Sequence, residues 1–348
     1  MGGNALKSTY TRRYSNDEFV QLYQELKPKL EKAFDTEVDL VISYADKEDH
    51  GDMDILVLND GNMPKPNDLK KILIEEFGAN EIHRNSTIYS FDYKELQIDL
   101  LFTPTRNWET SKVFFAYNDL GNLMGKIFHK LGLSYGFEGL RYIYRIGDHR
   151  KLGEFVISKD MPKIFEFIGL SFDRFLDGFN TVEEIFEYVI SSPYFQPAAF
   201  YYENLDARNR KRNKKRANYA KFIEYVNEKY DHDDKSFKHK YLYDPDKEKY
   251  WQMIHDYFEH DIDFLGTIEK MQEKEQRKIL IASKFNGDLV MKKYPDLQGK
   301  DLGIFIMSFK KFYEKKSGLT FDDFIIRYND YEIDVLIEVF YDNYHETK

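Results

Sequence analysis

Cysteine is absent from this chain of 348 residues. That excludes a disulfide framework, thiolate metal sites and a cysteine nucleophile together, so any bound metal must sit on oxygen or imidazole. Long apolar runs are missing as well. No stretch approaches the ~18 consecutive apolar residues of a membrane-spanning helix, and the opening MGGNALKSTYTRR lacks the apolar centre of a signal peptide. The protein is therefore expected to be soluble and intracellular, in the cytoplasm, with no membrane partner. Gly2 does not point to myristoylation, because Leu6 stands where that signal needs Ser or Thr. The Asn85-Ser86-Thr87 sequon carries little weight without a route to secretion. An excess of positive charge is also lacking: Lys and Arg number 51 against 61 Asp and Glu, a net charge of −10. This balance argues against nucleic acid coating the whole surface.

Hydrophobic residues make up 42% of the chain, enough for two domains or one with a large appendage. The aromatic content is high, with 29 Phe and 27 Tyr, so many tyrosines are expected to bury the ring and leave the hydroxyl wet. Phe19, Leu22, Tyr23, Leu26 and Leu30 form a helical stripe over 15–34, with Ser15 or Asn16 as N-cap. EVDLVISY (37–44) and DMDILVLN (52–59) are predicted strands, 67–77 a helix, and TIYSFDY (87–93) and ELQIDLLF (95–102) two more strands around a tight turn. Over 118–132, Leu120, Leu123, Met124, Ile127, Phe128 and Leu131 share one helical face. Asn122, Lys126, His129 and Lys130 are left on a face free to bind. A hairpin is expected near 139–159. Beyond it the pattern is helical, over 161–168, 181–191, 206–230, 246–260, 265–282, 300–315 and 330–344. The expected fold class is α+β, with a mixed sheet and a leading helix in a catalytic domain 1–159, then a mainly helical domain 160–348 for substrate or nucleic acid.

The chemistry concentrates in carboxylates. Side chains alternate along a strand, so Asp52 and Asp54 project to one face while Met53 and Ile55 point to the other. In QIDLLF the same alternation sends Asp99 away from Ile98 and Leu100. If the two strands are neighbours, three carboxylates converge, and their mutual repulsion is relieved by a divalent cation. Oxygen ligands favour Mg²⁺ or Mn²⁺, and a pair of such ions serves phosphoryl and nucleotidyl transfer. D-x-D also arises by chance on exposed strands of acidic proteins. Its context here adds Gly51, whose missing Cβ permits close backbone approach to a phosphate, and a hydroxyl from Ser43.

VISYADKEDHGDMDILVL (41–58) resembles the palm signature of family X DNA polymerases and their relatives in the DNA polymerase beta superfamily, a Gly-Ser turn followed by G-D-x-D-h-L. QIDLLFTP (97–104) is similar to the strand that carries that family's third carboxylate. KVFFAYNDLGNLMGKIFHKLGLSYGFEGLRYIYR (112–145) is similar to its nucleotide-pocket segment and following helix. The resemblance covers roughly residues 37–158. It implies a nucleotidyltransferase palm in which Asp52, Asp54 and Asp99 hold two Mg²⁺ or Mn²⁺ ions and a nucleoside triphosphate is the substrate. Phe115 and Tyr117 would then lie near sugar and base, and Asn122 near the base edge. Ile42 replaces the Gly of the Gly-Ser turn and Asp46 stands near a phosphate-binding Arg position. Triphosphate contacts must therefore come partly from Lys47, Lys126, Lys130, Arg12 or Arg13. The stretch before residue 37 is too short for the helix-hairpin-helix and lyase modules of repair polymerases, which makes gap filling a less natural role. FNGDLVMKKYPDLQGKDLGIFI (285–306) is similar to the helical tail of CCA-adding enzymes and bacterial poly(A) polymerases, and this tilts the substrate toward RNA. An ordinary loop and Gly-started helix would give the same pattern.

From Arg208 to Arg216 the sequence reads RNRKRNKKR, seven basic residues in nine. Arg208, Arg210, Lys211, Arg212, Lys214, Lys215 and Arg216 are expected to bind nucleic-acid phosphates, with a solvated helix face as the alternative. Tyr201 and Tyr202 just upstream either stack on bases or join the core. His129 gets no catalytic role, HDD at 232–234 reads as a loop, and Gly2-Gly3 is a flexible start or a fold over phosphate beside Arg12 and Arg13. The leading expectation is template-independent addition of nucleotides to the 3′ end of a nucleic acid, RNA before DNA. A family X-like DNA polymerase, an enzyme nucleotidylating a small molecule or protein, and a non-enzymatic binding scaffold are the alternatives.

Overall fold

Ser15 begins the first helix by closing a capping box. Its hydroxyl accepts the Glu18 amide, and the Glu18 carboxylate returns to the Ser15 amide, satisfying two otherwise orphaned donors. The helix, α1 (Asn16–Phe34), buries Phe19, Leu22, Leu26, Leu30 and Phe34 along one stripe. This computed structural model describes residues 3–146, 150–230 and 250–346, so the HDD sequence at 232–234 lies outside the described residues.

The stripe packs on a five-stranded sheet. In chain order, β1 (Tyr14–Ser15) and β3 (Asp49–His50) make a small antiparallel pair. The main sheet comprises β2 (Val38–Leu40), β4 (Asp52–Asn59), β5 (Ile82–Asn85), β6 (Ile88–Tyr93) and β7 (Leu96–Pro104), in the spatial order β2-β4-β7-β6-β5. Only β4 and β7 run parallel; the other neighbours are antiparallel. The crossover between β4 and β7 contains α2 (Pro66–Phe77) and the β5–β6 hairpin. Met53, Ile55 and Val57 of β4 and Ile98 and Leu100 of β7 join the α1 residues and Leu69, Leu73 and Phe77 of α2 in one core. Alternation then forces Asp52, Asp54 and Leu56, with Gln97, Asp99 and Leu101, onto the opposite face. There Leu56 and Leu101 pack on Trp108 of α3 (Trp108–Phe115).

The chain is thus α+β, and it differs from the sequence expectations in informative places. The strand expected over 37–44 ends at Leu40, and Ser43 lies in the loop beyond it. The Ala45 and Asp46 amides bond to the carbonyls of Phe179 and Asn180 at 2.9 and 2.8 Å, drawing the chain off the sheet. β5 carried no alternating signal because IHRN is an exposed edge. The helix α4 (Leu120–Lys130) and the strands β8 (Leu133–Gly136), β9 (Gly139–Ile146) and β10 (Arg150–Ser158) follow, the last three as a separate sheet. Next come α5 (Met161–Phe167), α6 (Phe172–Leu176) and α7 (Val182–Ile190). The single helix expected over 206–230 is two, α8 (Ala207–Asn213) and α9 (Ala217–Lys229), because Arg216 between them is extended. After it, α10 (Trp251–Phe258) is the last helix before residue 263.

Residues 1–144 and 154–262 group as one compact unit, and 145–153 with 263–348 as another. Helices from 160 to 262 therefore belong with the sheet, and the division falls later than residue 159. The second unit has its own core, in which Phe285, Phe305, Phe309, Tyr313, Phe321 and Phe340 meet. The tail sequence 285–306 does structural work there. Asn286 caps a helix by accepting the Leu289 amide, Gly299 opens another at φ +52°, and Phe285, Val290, Leu297 and Phe305 are buried. Among the described residues no helix is long and apolar enough to cross a membrane.

Candidate active site

Parallel pairing of β4 with β7 sets Asp54 directly opposite Asp99 and Asp52 opposite Gln97. Neighbouring strands lie ~4.8 Å apart and residues two apart on one strand ~6.6 Å apart, so Asp52, Asp54 and Asp99 form a tight triangle on one face. Asp52 and Asp54 line a cavity of about 920 Å³, and Asp99 stands beside Asp54 outside that lining. Burial raises the proton affinity of Asp54 well above the carboxylate range, with the charges of Asp52 and Asp99 adding to it. Asp99 is pushed up to about 6, again chiefly by burial and then by Asp52, while Ser90 and Gln97 hydrogen bonds pull the other way. With burial and neighbouring charge raising the proton affinity of Asp54 and Asp99, these carboxylates form an oxygen-only donor set that a divalent cation would relieve, so the residues fit such an ion. Among the described residues, only His255, Asp256 and Glu259 bring three candidate ligand atoms all within 4.8 Å of one another. The side-chain oxygens of Asp52, Asp54 and Asp99 do not all come within that distance of one another. The His255 group occupies one helical turn with two exposed carboxylates, and the His255 ring packs on Trp251.

The far wall of the cavity comes from loops and helices. Ser43, Lys47 and Gly51 line it from the 41–51 loop, Phe115, Asn118 and Asp119 from the end of α3 and the turn after it, and Lys215, Arg216, Asn218 and Lys221 from the start of α9. Lys47 donates to the Ser43 hydroxyl at 3.3 Å; burial lowers its pKa, and the charges of Asp52 and Asp54 oppose that shift. Arg13 also lines the cavity but is held by both oxygens of Asp49, at 2.6 and 2.7 Å. His50 beside it stacks on Phe19 with centroids 3.8 Å apart. Its pKa is lowered to about 4, mainly by burial, so it is a neutral packing group at ordinary pH.

Of the residues singled out from sequence, the structure brings Asp52, Asp54, Arg13, Ser43, Lys47, Gly51, Phe115, Lys215 and Arg216 to this cavity, with Asp99 adjoining through its pairing to Asp54. Others lie elsewhere. Tyr117 is a core residue: its ring meets Phe175 and Phe179 edge-on and its hydroxyl donates to the Phe175 carbonyl at 3.3 Å. Asn122 donates to the side chain of Asn213 at 3.3 Å. Lys126 is buried, 8% exposed, beside Asp206, Arg212 and Arg216, and burial lowers its pKa to about 8. The polar face of α4 is therefore not free at Asn122 and Lys126, because α8 and the turn after it lie against that face. Arg12 pairs with Glu18 and Glu95, away from the cavity. Arg208, Arg210, Lys211, Arg212 and Lys214 are exposed outside the cavity lining, and Arg216 pairs with Asp119. Tyr201 is buried with its hydroxyl on Asn227, and Tyr202 packs on Tyr219.

Sequence reasoning missed Asn118, Asp119, Asn218 and Lys221. The first two reach the cavity through consecutive left-handed residues, Tyr117 at φ 56° and Asn118 at φ 61°, a conformation uncommon outside glycine. The Tyr117 amide bonds to the Ile42 carbonyl at 2.8 Å and holds the turn. Only the short polar pair Asn118-Asp119 marked it in the sequence. No protein-family model matches the chain and no curated protein matches it significantly, so the likeness to the polymerase beta superfamily stands on the motif residues themselves.

Proposed function

We propose that the protein is a metal-dependent nucleotidyltransferase that moves a nucleoside monophosphate from a triphosphate to an acceptor hydroxyl, the 3′ end of an RNA, without a template. One observation carries the proposal: Asp54 and Asp99 face each other across parallel strands with Asp52 beside them, and Asp52 and Asp54 line a cavity that Lys47, Lys215 and Lys221 also line, together with Asp46, Glu48, Asp49 and Glu183. When bound, two Mg²⁺ or Mn²⁺ ions would activate the acceptor hydroxyl and neutralise the triphosphate. The chain's own part is to hold and orient. Asp52, Asp54 and Asp99 supply the oxygen ligands, Lys47, Lys215 and Lys221 supply positive charge toward the phosphates, and Phe115 offers a ring to base or sugar. The acceptor oxygen displaces pyrophosphate at the α-phosphorus, and the hydroxyl proton leaves to solvent. The size of the cavity suits a nucleotide-sized ligand.

The acceptor assignment rests on the basic run. Arg208, Lys211, Arg212 and Lys214 are exposed outside the cavity lining, while Lys215 and Arg216, further along the same run, enter it. An acceptor strand bound along the run would thus end at the carboxylates. Incubating the protein with Mg²⁺, each labelled triphosphate in turn and a panel of RNA, DNA and protein acceptors tests the function. Extension of RNA is expected. Labelling of protein alone would move the assignment to protein modification, and labelling of nothing would favour a binding scaffold. Replacing Arg208, Lys211, Arg212 and Lys214 together by Ala should weaken RNA binding and lower the salt-dependence slope by ~0.7 for each phosphate no longer neutralised. Triphosphate affinity should stay unchanged. An unaltered slope would return the run to a solvated helix face.

A further inference from the structure

Residues 3–9 cross the carboxylate end of the sheet, bonded to it mainly through their backbone. The Gly3 amide donates to Asp52 Oδ2 at 2.9 Å. The Ala5 and Leu6 amides donate to Gln97 Oε1 at 2.9 and 3.4 Å. The Lys7, Ser8 and Thr9 amides converge on the Glu81 carboxylate at 2.7 to 3.0 Å. Leu6 is buried beneath this ladder, 7% exposed. Gly3 has φ +81°, and a Cβ there would stand 2.2 Å from the Gly51 carbonyl oxygen. Gly3 is therefore the residue whose missing Cβ lets the chain lie against the Gly51 backbone.

Gln97 links this segment to the third carboxylate. It is 2% exposed, and its Nε2 donates to both oxygens of Asp99, at 2.9 and 3.1 Å. Its orientation is forced: the backbone amides of Ala5 and Leu6 only donate, so the carbonyl oxygen must face them and the NH₂ must face Asp99. Two of the three acidic groups thus take a hydrogen bond that depends on residues 3–6, Asp52 directly and Asp99 through Gln97.

We propose that residues 3–9 are a strap that completes the metal-binding site, with Gly3 and Gln97 as positioning residues that hold Asp52 and Asp99 in ligating geometry. This rests on the metal-dependent activity proposed above. Hydrogen-bonding partners of metal-ligating groups fix their rotamers, and losing one typically weakens metal binding ~10–100-fold. Linkage requires the reverse effect as well: an ion bound at the carboxylates must stabilise the seated strap by the same coupling free energy.

The test uses the full chain, Mn²⁺ as the probe and calorimetry. Gly3→Val, Gln97→Leu and deletion of residues 3–9 should each weaken Mn²⁺ binding by at least about ten-fold, with the helical circular-dichroism signal retained. In the wild type, Mn²⁺ should slow trypsin cleavage after the exposed Lys7, and Gln97→Leu should remove that protection. Glu81→Gln, which touches only the far end of the strap, should weaken Mn²⁺ binding less than Gly3→Val does. Mn²⁺ affinities within two-fold of wild type for Gly3→Val and Gln97→Leu would overturn the strap's role and leave the proposed activity standing. A wild type that binds no Mn²⁺ would overturn both.

Discussion

Replacing Asp54 by Asn should stop nucleotidyl transfer and, in the same protein, raise the thermal stability of the metal-free chain. The two effects have one cause. Asp54 is desolvated at the head of β4 and faces two further carboxylates, so its ionised form is unfavourable until a cation arrives. Asn keeps the shape and removes the charge. A gain of ~1 kcal/mol would appear as ~2–4 °C in melting temperature for a body of this size, while on the proposed activity transfer would fall by several powers of ten because a ligand of the proposed metal site would be lost. Most substitutions destabilise, so a stabilising change at a strand position is a distinctive signature of a site built to hold charge.

The same reasoning sets a pH dependence. Asp54 and Asp99 bind protons more tightly in the native state, Asp99 with a pKa of about 6, than in the unfolded chain, where Asp titrates near ~3.9. Each carboxyl costs stability as pH rises from its unfolded value through its folded one, Asp99 between about 4 and about 6 and Asp54 further up, while His50, lowered to about 4 by burial, acts with the opposite sign between about 4 and its unfolded value of ~6.5. Glu18 and Glu25, lowered to about 2 by their Arg and Lys hydrogen bonds, act with the opposite sign, but only on the acid side of that window. Melting curves in a chelator from pH 4.5 to 7.5 should show wild type losing stability relative to Asp54→Asn as pH rises, the His50 contribution being common to both. Saturating Mg²⁺ at pH 7 should restore the wild-type loss, by ~2.7 kcal/mol at a hundred-fold excess over the dissociation constant, and do little for the variant. A difference between the two profiles that stays constant across this range, with no response to Mg²⁺, would contradict the charge-strained site.

The carboxylates were legible because their signal is local. Two-residue alternation in DMDILVLN and QIDLLF assigns a face to each Asp whatever the rest of the chain does, and β4 spans Asp52–Asn59 as that pattern predicts. Adjacency of β4 and β7 is not local, since α2 and a hairpin intervene. It was inferred from the motif and is set by the register that places Asp54 against Asp99. Tyr117 shows the limit of residue type as a guide. In a chain with 29 Phe and 27 Tyr an aromatic beside a cavity sequence is as readily core, and Phe175 and Phe179 make it so. Lys126 was misplaced for a different reason. Helical periodicity distinguishes the face packed on the sheet side from the rest, but it does not register Asn213 and Arg216, which arrive from some ninety residues further along and contact Asn122 and Asp119. The strap had a sequence trace in Gly2-Gly3, but its destination at Asp52, Gln97 and Glu81 is tertiary.

Asp99 and Asp52 should separate when each is replaced by Asn, and the separation tests how the site divides its work. Asp52 and Asp54 stand on one strand and both line the cavity that would receive the triphosphate; Asp99 stands on the neighbouring strand and is outside that lining. Asp99 also carries the Gln97 hydrogen bonds, which fix it in one orientation. On the proposed activity, Asp99 serves the ion that activates the acceptor hydroxyl, whereas Asp52 and Asp54 also serve the ion that accompanies the triphosphate. Asp99→Asn should then leave Mg²⁺-dependent triphosphate affinity largely intact and lower the single-turnover transfer rate by several powers of ten, since the lost charge matters chiefly as the nucleophile forms. Asp52→Asn should lower both. Calorimetric titration of triphosphate with and without Mg²⁺, paired with single-turnover rates on a labelled RNA acceptor, measures the two quantities independently. Equal loss of triphosphate affinity in both variants would mean that the three carboxylates act as one undivided ligand set. Unchanged affinity in both, with no transfer by the wild type to any acceptor, would leave the cleft as a binding surface on this mixed sheet.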